Sequence, residues 1–203
     1  MNTIYMTADL HFGHDKLAVH RGFKNAEEQD RYIIDTWNAH INKRDTVWIL
    51  GDVAMGNPDN IDRLSELNGT LKLVLGNHDN RNMERYMRHV SQIYGAFSMR
   101  ECILTHIPVH PTQLDSRYRY NIHGHLHTES VWDPRYFCVS AEQNAYVPIP
   151  LQYILEYLDR TNDTRVHTPK ERHIELGKWD TPKVNNVFYE MYKNYILQHP
   201  ENI

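Results

Sequence analysis

Five islands follow one another along the first two thirds of a 203-residue chain: Asp9-Leu10-His11, Gly51-Asp52, Gly76-Asn77-His78-Asp79, Thr105-His106 and His123-Gly124-His125-Leu126-His127. Carboxylate, imidazole and amide oxygen are donors that hold a pair of first-row divalent ions, and such a pair clamps both the attacking and the leaving oxygen of a displacement at phosphorus. Asp9 and His11 lie two residues apart, so they can offer one oxygen and one nitrogen to a single ion. A carboxylate has two oxygens, and Asp52 can therefore bridge two ions about 3.5–4 Å apart. Asn77 offers a neutral amide oxygen. His78 beside Asp79 forms a donor and acceptor pair in which Asp79 would fix the tautomer and orientation of His78, leaving the imidazole to stabilise developing charge or to protonate a leaving group. His106 adds one imidazole. His123, His125 and His127 alternate at a spacing that a strand would place on one side, with Gly124 and Leu126 pointing away.

Singly, each island has a plainer reading. Asp-x-His and Gly-Asp are turn or cap sequences, Gly-Asn-His-Asp is a helix start capped by Asp79 or Asn80, and a histidine run can be a solvated tract. Five in order outweigh those readings, and a helix starting at the third island would also aim its positive end at a phosphate.

The elements that must position these residues are legible around them. Short apolar, β-prone runs at residues 3–8, 46–50, 71–75 and 102–104 each lead straight into an island, so four strands deliver polar residues at their carboxyl ends. Open α/β sheets bind ligands at that edge. Between the strands the period becomes helical. Residues 26–42 set Ile33, Ile34, Trp37 and Ile41 on one face, which reads as core. Asn57-Pro58 starts a second helix that carries Ile61, Leu64 and Leu67 and closes at Gly69, and a third covers residues 82–90. Residues 120–122 and 136–140 read as later strands. The alternation predicts a layered α/β domain.

A formal charge of −4 and a pI near 6.4 give no global positive field, which disfavours unaided wrapping of long duplex nucleic acid. The two cysteines, Cys102 and Cys138, sit in apolar segments and read as buried thiols rather than a disulfide or metal ligands. No secretory leader and no run of about 18 apolar residues is visible, so a cytoplasmic protein is expected.

The order D-x-H, G-D, G-N-H-D, H and G-H-x-H resembles the calcineurin-like metallophosphoesterase superfamily. That resemblance implies a four-layer α/β/β/α sandwich of two mixed sheets, with a dinuclear metal site at strand ends. It implies one ion held by Asp9, His11, Asp52 and His127, and a second by Asp52, Asn77, His106 and His125. The same resemblance implies that His78 is the catalytic histidine and that His123 falls outside the ligand set, as a supporting or structural residue. It also implies attack on phosphorus by a metal-bridging hydroxide without a covalent intermediate, and two divalent ions, with Mn²⁺ expected and Fe, Co, Ni or Zn as alternatives. Met55 stands where purple acid phosphatases carry an iron-binding tyrosine, and Ala54-Met55-Gly56 and Asp79 depart from the protein serine/threonine phosphatases. The opening Asp9-Leu10-His11-Phe12-Gly13-His14 looks more like small bacterial and phage phosphoesterases. A metallophosphoesterase domain is expected over residues 1–158. Residues 159–203 are expected to form a linker and a helical appendage, with an apolar stripe from Val184 to Ile196, packing on the domain or on a partner.

Between His106 and His123 a polar, aromatic loop carries His110, Arg117, Tyr118 and Arg119; arginines bind phosphate and tyrosines stack on bases. With His14 and Arg81 these are the candidate substrate residues. The expected activity is hydrolysis of a small, nucleotide-like phosphodiester or phosphomonoester, with no membrane partner. The alternatives are a nuclease acting on single-stranded or terminal phosphodiesters and a non-catalytic, metal-stabilised interaction module.

Overall fold

A computed structural model describes residues 2–162. The appendage expected over residues 159–203 therefore lies almost wholly outside the described residues.

The elements in chain order are β1 (Ile4–Thr7), α1 (Asp15–His20), α2 (Ala26–His40), β2 (Thr46–Leu50), a 3₁₀ helix (Pro58–Glu66), β3 (Thr70–Val74), α3 (Met83–Tyr86), β4 (Gln92–Tyr94), β5 (Phe97–Met99) and β6 (Cys102–Leu104). A short 3₁₀ turn (Pro111–Leu114), β7 (Tyr120–His123), β8 (Tyr136–Cys138), a further 3₁₀ turn (Ala141–Asn144), β9 (Ile149–Pro150) and α4 (Leu151–Asn162) follow. One sheet runs β4-β3-β2-β1-β9 and the other β5-β6-β7-β8. Each sheet is mixed. β1 to β4 pair in parallel and β9 joins antiparallel, while β6, β7 and β8 are parallel and β5 is antiparallel. This is the expected sandwich of two mixed sheets.

Strand alternation builds the layers. In β2, Val47 and Ile49 pack with Ile33, Ile34, Trp37 and Ile41 of the α2 stripe. Trp48 and Leu50 on the other face join Met6, Val74, Leu104, Ile122 and Phe137 between the sheets, where α4 adds Ile154 and Leu158. Beyond the second sheet, Ile103 and Tyr136 are covered by Leu114 of the 3₁₀ turn and neighbouring loops.

The second expected helix is instead a 3₁₀ helix, capped by the Asn57 side chain accepting from Asp59 N. Its apolar residues Ile61, Leu64 and Leu67 recur every three residues and are all buried. That spacing is the 3₁₀ period itself, which brings i and i+3 onto one line. The third expected helix shrinks to Met83–Tyr86, followed by turns.

Register carries the site. Thr7 faces Ile49 and Leu50 faces Val74, so β1, β2 and β3 end level with one another. Leu104 faces Ile122 in the second sheet. Past the strand ends the pairing continues through the ligand loops, with Asp9 N donating to Gly51 O (2.9 Å), His11 N to Asp52 O (3.0 Å) and Phe12 N to Val53 O (2.9 Å).

Candidate metal centre

Two groups of ligand atoms converge at this edge: Asp9, His11 and His127, and Asp52, His106 and His125. Within each group the ligand atoms lie within 4.8 Å of one another. Asn77 joins the second group, its Oδ1 3.0 Å from His106 Nε2. Asp52 lies between the groups. Its Oδ2 is 3.7 Å from His11 Nε2 and 3.3 Å from His106 Nε2. His78 flanks the cluster, its side chain 42% exposed, with Nε2 3.8 Å from the same oxygen.

The backbone at this edge is unusual. Asp9 (φ 58°), His11 (φ 51°), Asp52 (φ 54°), His125 (φ 71°) and His127 (φ 52°) are all left-handed, although none is glycine. Each such residue costs on the order of 1–3 kcal/mol and persists only where its surroundings over-determine it. The histidine run therefore does not continue as a strand. β7 ends at His123, which stays fully buried among strand neighbours, while the next two histidines turn into the site on left-handed backbone.

Two glycines let the sheets meet here. A Cβ on Gly51 (φ +87°) would come within 2.5 Å of His106 Nδ1, and one on Gly124 within 2.7 Å of Asp9 Oδ2. Only a bare backbone permits that approach.

Hydrogen bonds aim the ligands. His106 Nδ1 lies 2.8 Å from Leu50 O and so donates to it, which turns Nε2 to the cluster. His127 Nδ1 lies 2.7 Å from Glu142 Oε1. Asp9 Oδ2 accepts from Ser140 Oγ (2.7 Å) and His125 N (2.8 Å). What these bonds leave over is informative: Asp9 Oδ1 and both nitrogens of His11 are buried with no hydrogen-bond partner among the described residues. Burial also pushes the Asp9 carboxyl up to about 6 and the His11 imidazole well below its usual range. His106 Nε2 has Asn77 Oδ1, His125 Nδ1 (3.2 Å) and Asp52 Oδ2 around it, a crowd of lone pairs that a cation relieves. Orphaned buried donors of nitrogen and oxygen type fit two divalent ions. Neither cysteine belongs to either ligand group, and burial pushes both thiols up to about 12.

A layer of residues outside the five islands holds this cluster. The side chain of Arg21, at the end of α1, is 1% exposed. It donates to Leu10 O (3.1 Å), Asp9 O (2.6 Å), Gln29 Oε1 (3.0 Å) and Glu142 Oε1 (2.8 Å). Gln29 Nε2 reaches His11 O, and Asp30 accepts from Gly13 N. Gln29 and Asp30 precede Ile33 and Ile34 by four residues, so they are polar residues on the buried stripe of α2. That was a readable signal.

Among the described residues Asp79 makes no hydrogen bond to the His78 ring. Asp79 is fully buried, and its carboxylate accepts from Asp52 N (2.7 Å), Gly76 N (2.9 Å), Val53 N (3.0 Å) and Tyr86 Oη (2.8 Å). Four donors consume both oxygens, and the residue ties the Asp52 loop to the Asn77 loop. Asp79→Ala would strand buried donors that cost about 1–3 kcal/mol each. We expect stability to fall by at least ~3 kcal/mol in denaturant melts, with metal affinity falling alongside. Wild-type stability with only a slower turnover would return Asp79 to the role of orienting His78.

Among the candidate substrate residues, His14 caps α1, its ring 5.8 Å from that of His11, and Arg81 lines a cleft beside His78. His110 caps the Pro111–Leu114 turn. Arg117 and Arg119 correct the expectation: they precede β7, whereas the ligands follow it, at the other end of the strand. Arg119 pairs with Glu101 and Asp159, and Arg117 stacks over Tyr118. Both lie at the far edge of the sheet from the ligand groups.

The level strand ends, the paired mixed sheets and the two ligand groups define the metal-binding class of α/β sandwich. The chain matches the Calcineurin-like phosphoesterase superfamily domain over residues 3–139, and it belongs to that family. It is 30% identical over 166 residues to the gene 66 protein of Mycobacterium phage L5, covering 64% of this chain and 80% of that protein. To the gene 66 protein of Mycobacterium phage D29 it is 34% identical over 99 residues, a match that spans only 49% of that protein's length. A protein of unknown function from Aquifex aeolicus shares the fold, with a TM-score of 0.62, 20% identity, and 77% of this chain and 99% of that one covered. No helix among the described residues is long and apolar enough to cross a membrane.

Proposed function

We propose that the chain hydrolyses a small, nucleotide-like phosphoester with two divalent ions, manganese in the first instance, and that Asp52 bridges them. The observation that carries this reading is the position of Asp52 Oδ2, within 3.3–3.8 Å of imidazole nitrogens from His106, His11 and His78. Bound there, the two ions would neutralise phosphate oxygens and acidify the attacking water. The chain's own residues supply the rest. Asp9, His11 and His127 would hold one ion, Asn77, His106 and His125 the other, and Asp52 both.

His78 is the exposed imidazole of the cluster and stands where a leaving oxygen would emerge, so it donates the proton that oxygen needs. Its main-chain amide donates to Asp52 Oδ1 (2.9 Å), which fixes its distance from the bridge. The reaction takes place in a reducing, cytoplasmic setting, in keeping with two free thiols. A non-catalytic interaction module has little to favour it, because loss of turnover usually leaves gaps in such a set and the sequence keeps Asp52, Asn77, His78 and His106.

The test is turnover of a phosphodiester dye and a phosphomonoester dye after chelation and Mn²⁺ readdition, with a single-stranded oligonucleotide beside them. We expect Mn²⁺ to restore hydrolysis, and His78→Ala to leave the metal content unchanged while lowering kcat by roughly 10²–10⁴ on an alkyl ester, whose leaving oxygen needs a proton, and by less on the dyes. Full metal occupancy with no phosphoester cleaved would contradict the proposal, and faster, salt-dependent cleavage of the oligonucleotide would make the protein a nuclease.

A further inference from the structure

A cleft of ≈ 220 Å³ opens beside His78, built from the two segments that directly follow Asp52 and Asn77. We propose that it seats the base of a nucleoside leaving group; this rests on the phosphoesterase reading above.

Placement comes first. Asn77 and His78 belong both to the metal cluster and to the cleft wall. A phosphorus held at the cluster would therefore send its leaving oxygen past His78 and into the cleft. Size comes next. Pockets for drug-sized ligands hold about 300–1,000 Å³, so a cleft of this volume takes one ring system rather than a whole nucleotide.

Chemistry narrows the class. No carboxylate lines the cleft, although the chain is acidic overall, and Arg81 supplies the only fixed charge. Among the described residues Arg81 has no acidic partner, whereas Arg85, four residues on, is held by Asp59 and Asp62. The side-chain amide of Asn82 makes no cap bond to α3, and Asn80 spends one amide hydrogen on Asn77 O at 3.3 Å. These amides offer paired donors and acceptors of the kind that match a base edge. Met55 and Pro58 supply apolar contact for a flat ring. The cleft keeps its shape because Asn60 Nδ2 donates to Met55 O (2.7 Å) and Tyr86 is buried against Asp79. A neutral ring with polar edges, carried on an anionic phosphoester, satisfies all of these features. A cation or a fatty chain does not.

The test uses the full chain loaded with Mn²⁺. Two diesters with the same methylphosphoryl group are compared, one releasing a nucleoside from its 5′ oxygen and the other releasing p-nitrophenol. Binding of adenosine, uridine and ribose is measured separately by ligand-observed NMR. Asn82→Gly removes the amide and keeps the left-handed backbone (φ 60°), and Arg81→Ala removes the guanidinium.

We expect each variant to lower the ratio of kcat/KM for the nucleoside diester over the dye diester at least fivefold. Nucleoside affinity should weaken in step, and ribose should bind more weakly than either nucleoside. An unchanged ratio, or ribose binding as tightly as the nucleosides, overturns the proposal. If the wild-type chain cleaves neither diester, it is the phosphoesterase reading that fails, and nucleoside binding with its loss in the variants decides the cleft on its own.

Discussion

Asp52→Asn is expected to reduce turnover about a thousandfold or more, because several kcal/mol of charge stabilisation are lost and about 1.4 kcal/mol is tenfold in rate. The substitution keeps size and hydrogen-bonding shape, so its effect isolates the charge. Asp52 Oδ2 is within 3.7 Å of His11 Nε2 and 3.3 Å of His106 Nε2, and an amide group there could bridge the two ligand groups only poorly. Oδ1 accepts from His78 N, which fixes which oxygen faces the cluster. The fold should survive, since Asp79 holds the main chain at Asp52 and Val53 and an asparagine Oδ1 can still accept from His78 N. Dye hydrolysis at saturating Mn²⁺ reads the loss, and a variant within tenfold of wild type would show that Asp52 is not the bridge.

Arg21→Ala is expected to be the most destabilising single change at the site. The guanidinium is buried and holds two carbonyls of the Asp9 loop, the Gln29 amide and the Glu142 carboxylate. Its removal leaves Glu142, 9% exposed, without its cation, a loss of about 3–5 kcal/mol. For a domain of this size that lowers Tm by roughly 10 °C or more. Burial alone would raise the Glu142 carboxyl, but the His127 hydrogen bond and the Arg21 charge hold it down to about 2. Its contribution is therefore intact above the ordinary value of 4.5 and fades as pH falls toward 2. Arg21→Lys keeps the charge but loses the fork, so it should fall between wild type and alanine. Thermal melts of the three proteins check the order; an alanine variant melting within 2 °C of wild type would remove Arg21 from the account.

These two residues also mark what could be read from the sequence. Asp52 was legible because it ends an apolar strand run and its chemistry is distinctive among four other islands. Arg21 was not, because its partner Glu142 lies 121 residues away and neither stands beside a motif. The ligand types, their order and the helical stripe of α2 survive because each is set by local period and residue chemistry. The short strands β4, β5 and β9, two or three residues each, are too brief to show a period, and tertiary pairing alone makes them strands. Asp79 looked like a partner for its neighbour because adjacency in sequence was all there was to read, whereas its four donors come from three different segments. The placement of Arg119 is legible in the sequence: a strand beginning at Tyr120 with ligands at its far end puts residues 117–119 on the opposite edge.

The central claim is a pair of ions joined through Asp52, and electron paramagnetic resonance of the Mn²⁺-loaded chain tests it most directly. Two ions per chain with an exchange-coupled spectrum, replaced in Asp52→Asn by an uncoupled six-line signal or by lost metal, is the predicted result. A single ion at saturation, or an uncoupled six-line spectrum from the fully loaded wild-type chain, would contradict it.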